Sequence, residues 1–167
     1  MTPSAPDHRP NPLESFERPA ADAGLLLART TAGGLFIFHG ASKFSAGLDG
    51  FAGYLGSLGV PFPMLNAYLA AGTEVLAGAA LMLGLLTRFA ALPLAFTMGI
   101  AFFLAKGAEL NPQGGGGEYA LALGLFAIAI ALTGPGRASL DHLLRSSLTA
   151  RFRSATARTP RAIPAAA

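Results

Sequence analysis

The sequence predicts an all-α integral membrane protein: a four-helix bundle with a short interfacial helix on its outer side and a C-terminal amphipathic helix on its cytoplasmic side. Of the 167 residues, 52% are hydrophobic and only 13% are charged, whereas a soluble domain carries about a quarter charged residues. Four apolar runs each approach the ~20 residues that a helix needs to cross the hydrocarbon layer. Helices are required because lipid cannot satisfy the hydrogen bonds of an open backbone.

The predicted spans occupy residues 23–136. The runs that define them cover about Ala23–Ser42, Asn66–Leu86, Arg88–Gly107 and Glu118–Gly134. Pro93 falls inside the third run, where we expect it to kink the helix or to lie in its first turn. Residues 1–22 precede the first span and are rich in proline and polar side chains, so we expect a disordered leader there.

A short amphipathic helix is expected between the first and second spans. Apolar side chains recur there at helical spacing, at Phe51, Tyr54, Leu55 and Leu58, before the chain breaks at Gly59, Pro61 and Pro63. This pattern predicts a helix lying at the membrane surface, followed by a rigid turn.

A second amphipathic helix is expected over residues 137–153. Its apolar stripe consists of Leu140, Leu143, Leu144, Leu148 and Phe152. Ser139 is the expected N-cap, and Asp141 is expected near the positive end of the helix dipole. We interpret the segment as a membrane-surface helix whose arginines are attracted to anionic lipid, with a docking surface for a cytoplasmic partner as the alternative. Residues 154–167 are expected to form a basic disordered tail.

The distribution of basic residues predicts the orientation. Outside the spans, nine arginines fall on the side of the two termini, against Lys43 and Lys106 on the other side. Basic residues concentrate in cytoplasmic segments. The sequence therefore predicts a multi-pass membrane protein with both termini in the cytoplasm.

Charged residues inside the spans are the candidate functional residues, because an ionised side chain at mid-membrane costs about 2.5–3.5 kcal/mol. At 1.5 Å per residue, Glu74 lies between Arg29 and His39 in depth, and Glu118 and Tyr119 lie level with His39. One interpretation is an architectural ion pair between Arg29 and Glu74. The other is a polar pocket, opening outward, that binds a small polar head group or relays protons. Lys43 is expected at the outer rim as a membrane anchor.

Several kinds of chemistry are excluded or disfavoured. The chain has no Cys, so it can form no disulfide, thiol redox centre or thiolate metal site. No metal site is expected, because the histidines other than His39 fall on the opposite side of the membrane. The glycine run at 114–117 lacks the strand and the lysine of a phosphate-binding loop. We expect no nucleic-acid partner, since the excess of arginine bears on membrane orientation.

Several short motifs follow one another in a characteristic order. They are His-Gly-x-x-Lys from His39, Gly-x-Pro-x-Pro from Gly59, a membrane glutamate at Glu74, Gly-Leu-x-Thr-Arg from Gly84, and Gly-x-Gly-x-x-Ser-Leu-Asp from Gly134. In this combination the chain resembles the DoxX-like membrane proteins over about residues 25–144. The positions that match the family pattern are Arg29, His39, Lys43, Glu74, Arg88, Glu118, Tyr119 and Asp141.

The resemblance implies a four-helix protein of a bacterial-type inner membrane, with a role in a membrane oxidoreductase system. Related proteins include the small membrane subunit of thiosulfate:quinone oxidoreductase, and some members are linked to thiol or oxidative stress. Without Cys, this chain would be an anchor or quinone-side subunit with no intrinsic cofactor, and its partners would be lipids and a redox protein. The family match assigns no roles to residues; the pocket expected from side-chain depths consists of Arg29, His39, Glu74, Glu118 and Tyr119, with Glu74 and His39 as candidate catalytic residues.

Two other functions stay open at this point. One is a non-enzymatic scaffold or small-molecule handling protein in which Arg29 and Glu74 form a structural pair. The other is a transporter-like role, which would need a homo-oligomer because four spans are few for that task.

Overall fold

The computed structural model describes residues 12–111 and 116–157, and within these ranges the chain is helical and contains no β-strand. The elements are α1 (Pro12–Ala46), α2 (Leu48–Ser57), α3 (Pro63–Leu83), α4 (Thr87–Ile100) with a π-helical turn after it (Ala101–Ala105), α5 (Glu118–Thr133) and α6 (Leu140–Ala157). The predicted all-α class is confirmed.

Three segments are long and apolar enough to cross a membrane: Glu17–Ala46, Pro63–Leu83 and Thr87–Ala105. The fourth predicted span, α5, is apolar but has only 16 residues, or about 24 Å of helix. α1 packs on α3, α3 on α4, α4 on α5, and α5 contacts α1. Large apolar side chains point outward from these helices; Leu76 is 74% exposed and Phe96 is 70% exposed. Such an outer surface suits lipid, which is as apolar as the side chains that it contacts.

Glycines allow α1 and α3 to approach closely. A Cβ atom added to Gly33 would lie 2.6 Å from the carbonyl oxygen of Gly78, and one added to Gly40 would lie 2.7 Å from that of Ala71. Neither helix could carry a larger side chain there without moving apart from the other. The two contacts define an antiparallel register that places Gly33 beside Gly78 and Gly40 beside Ala71.

α1 begins earlier than the apolar run indicates. The sequence predicts its start at Ala23, whereas the helix starts at Pro12. Pro12 occupies the first helical position, where proline is tolerated, and helical geometry continues past Pro19. Residues 1–11 of the expected leader lie outside the described residues. Residues 158–167 of the expected tail also lie outside the described residues. The first four residues of that expected tail, 154–157, are helical, because α6 continues to Ala157.

α6 is held at its start by two capping interactions. The Ser139 hydroxyl accepts a hydrogen bond from the backbone N–H of His142 at 3.2 Å, which confirms the predicted N-cap. Asp141 caps a different helix: its carboxylate accepts the N–H groups of Leu86 (2.8 Å) and Thr87 (2.9 Å) and the Thr87 hydroxyl (3.0 Å) at the start of α4. Asp141 thereby ties α6 to the α3–α4 turn.

These contacts also control the charge of Asp141. Burial acts to raise the pKa of Asp141, but the hydrogen bonds from Thr87 and Leu86 and the charge of Arg145 outweigh burial, so the pKa lies below its usual value. The carboxylate is therefore ionised at neutral pH, as a cap at the positive end of a helix requires.

Candidate functional site

A cavity of about 220 Å³ lies among α1, α3, α4 and α5, and α2 covers one side of it. Most of its wall is apolar, from residues such as Phe36, Met98 and Leu123. The polar groups on the wall come from six residues: His39, Lys43, Tyr54, Glu74, Thr97 and Tyr119. The site therefore combines an apolar chamber with a small set of hydrogen-bonding groups, which is the usual composition of a small-molecule site.

Glu74 and Lys43 form an ion pair on the cavity wall. The Glu74 side chain is 2% exposed, and the Lys43 side chain is 23% exposed. The Lys43 ammonium also lies 5.4 Å from the ring centroid of Phe51 on α2, within the range of a cation–π interaction. Lys43 was expected to be a membrane anchor at the outer rim; its ammonium instead points inward, because the buried carboxylate of Glu74 needs a counter-charge.

His39 and Tyr119 join α1 to α5 at the same cavity. The Nε2 atom of His39 and the hydroxyl oxygen of Tyr119 are 3.0 Å apart, and the two ring centroids are 5.3 Å apart. If the imidazole carries its proton on Nε2, it donates to the Tyr119 oxygen, and the phenolic hydrogen is then free to donate to a ligand. In the other tautomer Tyr119 donates to His39. The His39–Tyr119 pair can therefore present a hydrogen-bond donor to a ligand, and a change of the imidazole tautomer moves the ring proton from one nitrogen to the other.

α2 covers the cavity with its apolar face, which the sequence predicts to lie on the membrane surface. Phe51, Tyr54, Leu55 and Leu58 all line the cavity. The Tyr54 hydroxyl donates a hydrogen bond of 3.0 Å to the carbonyl oxygen of Ala105, in the π-helical turn. The predicted short helix is confirmed, but its apolar stripe faces the protein because the interior of the cavity is as apolar as lipid.

The expected ion pair between Arg29 and Glu74 is wrong. The register of α1 on α3 places Glu74 beside Gly40, and Arg29 lies about three turns, or roughly 16 Å, further along α1. Arg29 is 1% exposed and donates a hydrogen bond to the carbonyl oxygen of Ala138, before α6. Arg29 therefore stabilises the opposite end of the protein and does not line the cavity.

Glu118 also lies outside the cavity lining. Its side chain is half-buried at the start of α5, and its Oε1 atom is buried without a hydrogen-bond partner among the described residues. Of the five residues expected to form a pocket, the structure brings together His39, Glu74 and Tyr119. It adds Lys43, Phe51 and Tyr54, which sequence reasoning placed elsewhere.

One sequence signal could have identified Lys43. Gly33 and Gly40 are seven residues apart, so they share a helix face, and Lys43 follows Gly40 by three residues on nearly the same face. A glycine-lined face packs on another helix, which predicts that Lys43 faces the bundle. No comparable signal predicts the π-helical turn, although such turns are frequent at functional sites. Within the described ranges, no group of three or more His, Cys, Asp or Glu side chains could hold a metal ion.

Comparison with known proteins adds a family and several relatives. A family model described as DoxX matches residues 24–107. The chain is 36% identical over 120 residues to a Bacillus subtilis protein named "Putative oxidoreductase CatD", covering 72% of this chain and 86% of CatD. It is 36% identical over 139 residues to the Escherichia coli inner membrane protein YphA, covering 79% of this chain and 99% of YphA. An uncharacterized membrane protein of Mycobacterium tuberculosis, Rv3486, is 32% identical, covering 75% of this chain and 84% of that protein. No solved structure matches the chain.

Proposed function

The chain belongs to the DoxX family of membrane proteins, and from this premise we propose that it is the quinone-side membrane subunit of an oxidoreductase system. One observation carries the proposal: a Glu74–Lys43 ion pair with a buried carboxylate and a His39–Tyr119 pair converge on one apolar cavity. The name of the relative CatD, which includes the word oxidoreductase, supports the same class of function.

The cavity suits a quinone head group in size and in lining. Its volume of about 220 Å³ exceeds the ~150 Å³ of an engineered apolar cavity that binds benzene. Apolar walls favour the ring. The carbonyl oxygens of a quinone are hydrogen-bond acceptors, and Tyr119, His39 and Lys43 are the matching donors on the wall.

The residues of this chain would bind the ring and move protons. A bound quinone accepts two electrons and two protons to become a quinol. Tyr119 or His39 would donate a hydrogen bond to one carbonyl oxygen. Of the two protons, one would come from the His39–Tyr119 pair and the other would pass through the Glu74 carboxylate, and both groups would regain a proton from water. The Glu74 carboxylate holds the Lys43 ammonium at the cavity wall, where the ammonium can donate a hydrogen bond to the second carbonyl oxygen, so loss of the carboxylate should also weaken binding. The electrons come from a partner redox protein, because a chain without Cys has no thiol to supply them.

The proposal is tested by replacing Glu74 with its uncharged isostere. We expect Glu74→Gln to remain folded and to lose quinone binding, measured by calorimetry with a water-soluble benzoquinone on protein in lipid nanodiscs. Glu118→Gln is the matched control, since Glu118 lies outside the cavity lining, and it should bind as the wild type does. Unchanged binding by Glu74→Gln would contradict the proposed site, because the Glu74–Lys43 pair would then play no part in holding the ring.

We further propose that the protein lies in a bacterial-type inner membrane with both termini in the cytoplasm, so that the cavity lies towards the outer face. The excess of arginine on the side of the termini supports this orientation. The backbone N–H of Arg137 donates to the Asp22 carboxylate at 2.8 Å, so the N-terminal part of α1 and the α5–α6 connection share one end. Because the chain has no Cys, a single cysteine at Ser57 or at Ser147 can be probed with a membrane-impermeant maleimide. Labelling of intact cells should occur at position 57 only.

A non-enzymatic scaffold is the second candidate function. It is favoured by the position of the Lys43–Glu74 pair, which links α1 to α3 beside the close contact of Gly40 with Ala71. Replacing both residues with methionine should then preserve expression and function, because a buried ion pair often tolerates exchange for apolar residues when both partners change together. The quinone-site proposal expects the same double variant to fold and to lose binding.

A further inference from the structure

A second hollow adjoins the cavity on the lipid-facing side of the protein. It is a groove of about 210 Å³ between α3 and α4, closed at one end by the C-terminal part of α2. Leu69 on α3 and Phe96 on α4 line this groove. They are 58% and 70% exposed, so the groove opens onto the surface that lipid covers.

The groove and the cavity share one wall. Four residues line both spaces: Leu55, Ala70, Thr97 and Ile100. Two of these side chains are small, so the boundary between the spaces is thin at Ala70 and Thr97. A molecule that extended from the cavity past these two residues would enter the groove directly.

The wall of the groove is mostly apolar, since seven of its ten lining residues carry apolar side chains. The Thr97 hydroxyl donates to the carbonyl oxygen of Pro93 at 2.9 Å. The Asn66 side-chain amide donates to the carbonyl oxygen of Pro61 at 2.7 Å. Of the three polar side chains that line the groove, Asn66, Thr73 and Thr97, two therefore donate a hydrogen bond inside the protein, and a hydrocarbon chain in the groove would leave those two donors satisfied.

We propose that the groove holds the hydrophobic tail of the molecule whose head group occupies the cavity. The inference rests on the proposed function and narrows its substrate class to quinones with an alkyl or isoprenoid tail, which dissolve in the membrane and enter from the lipid side. Between Pro93 and Ile100 the groove follows α4 for about 10 Å, which accommodates the first part of such a tail and leaves the remainder in lipid.

The experiment compares two quinones with the same ring on the full-length protein in nanodiscs. One is a dimethoxy-methyl-benzoquinone without a tail, and the other carries a decyl tail. Thr73→Phe fills the groove and leaves the cavity lining unchanged, since Thr73 lines the groove only. Leu76→Phe is the matched control on the same helix, because Leu76 is 74% exposed and lines neither space.

We expect Thr73→Phe to weaken binding of the decyl quinone about tenfold or more and to change binding of the tail-less quinone by less than about twofold. Leu76→Phe should change neither. A decyl quinone with a photoreactive diazirine in its tail should crosslink to α3 or α4 beside the groove, which also locates the tail if Thr73→Phe fails to fold.

Equal effects of Thr73→Phe on the two quinones, or a crosslink on α5, would overturn the tail site. If both quinones bound the wild type and Glu74→Gln abolished both, with no effect of Thr73→Phe, the proposed function would stand and the tail site would fall. If neither quinone bound the wild type, both proposals would fall.

Discussion

Removing Lys43 from the Lys43–Glu74 pair should destabilise the protein more than removing Glu74. Glu74 is 2% exposed, whereas Lys43 is 23% exposed. Lys43→Met therefore leaves a carboxylate buried without a counter-charge, which costs about 3–5 kcal/mol. Glu74→Met leaves an ammonium whose long stem can turn towards solvent, and we expect a cost of about 1–2 kcal/mol. The double variant should lie within about 1 kcal/mol of the wild type, because a buried pair can be exchanged for apolar residues of similar volume.

The measurement is a double-mutant cycle of unfolding free energies in bicelles, with sodium dodecyl sulfate as the denaturant. Because the chain contains no Trp, unfolding is followed by far-ultraviolet circular dichroism. Lys106→Met is the control: Lys106 is exposed, and its replacement should change stability by less than about 0.5 kcal/mol. The reasoning is refuted if Lys43→Met costs no more than Glu74→Met, or if the two single effects simply add in the double variant.

Three further predictions concern packing, pH and the covering helix. Gly33→Ala places a Cβ atom against the backbone of α3 and should lower the free energy of unfolding by about 1–3 kcal/mol. Gly34→Ala, with no atom within 4 Å of the new Cβ, should be neutral or stabilising in the same unfolding assay. Folding lowers the pKa of Asp141, so the Asp141 carboxylate stabilises the protein at pH values above its usual pKa, and this stabilisation is lost as the pH falls through the lower pKa of the folded state. In a series of thermal unfolding measurements at decreasing pH, we expect the Asp141→Asn variant to lack this part of the decrease in stability. Tyr54→Phe removes the bond to Ala105 and should speed hydrogen exchange in α2, and unchanged exchange there would contradict the covering role.

The helices could be predicted from the sequence because hydropathy and helix breakers act locally. Runs of about 20 apolar residues have few alternatives to a membrane helix, and the glycine and prolines at 59–63 end α2 wherever it packs. The start of α1 was less predictable. The polar residues before Ala23 are compatible with both a helix and a coil, and only the structure shows the helix continuing from Pro12.

The partners inside the membrane could not be predicted from depth alone. Depth limits a contact to a layer a few residues thick, but contact also requires two side chains to share a helix–helix face and register. Arg29 and Glu74 appeared close enough in depth, yet the packing of Gly40 on Ala71 places them about three turns apart. The glycines set that register, so the spacing of small residues indicates ion-pair partners better than hydropathy does.

α2 shows why an apolar stripe has two meanings in a membrane protein. A stripe facing lipid and a stripe facing an apolar cavity require the same residue types at the same helical spacing, so periodicity cannot distinguish them. The phenol of Tyr54 distinguishes them in the structure. At the membrane surface its hydroxyl would reach the head-group region, whereas here it satisfies the carbonyl of Ala105 at the end of a helix, one of the groups that a helix terminus leaves without an internal partner. Because that bond connects α2 to the π-helical turn on the opposite wall, α2 belongs to the enclosure of the cavity and not to a separate surface layer.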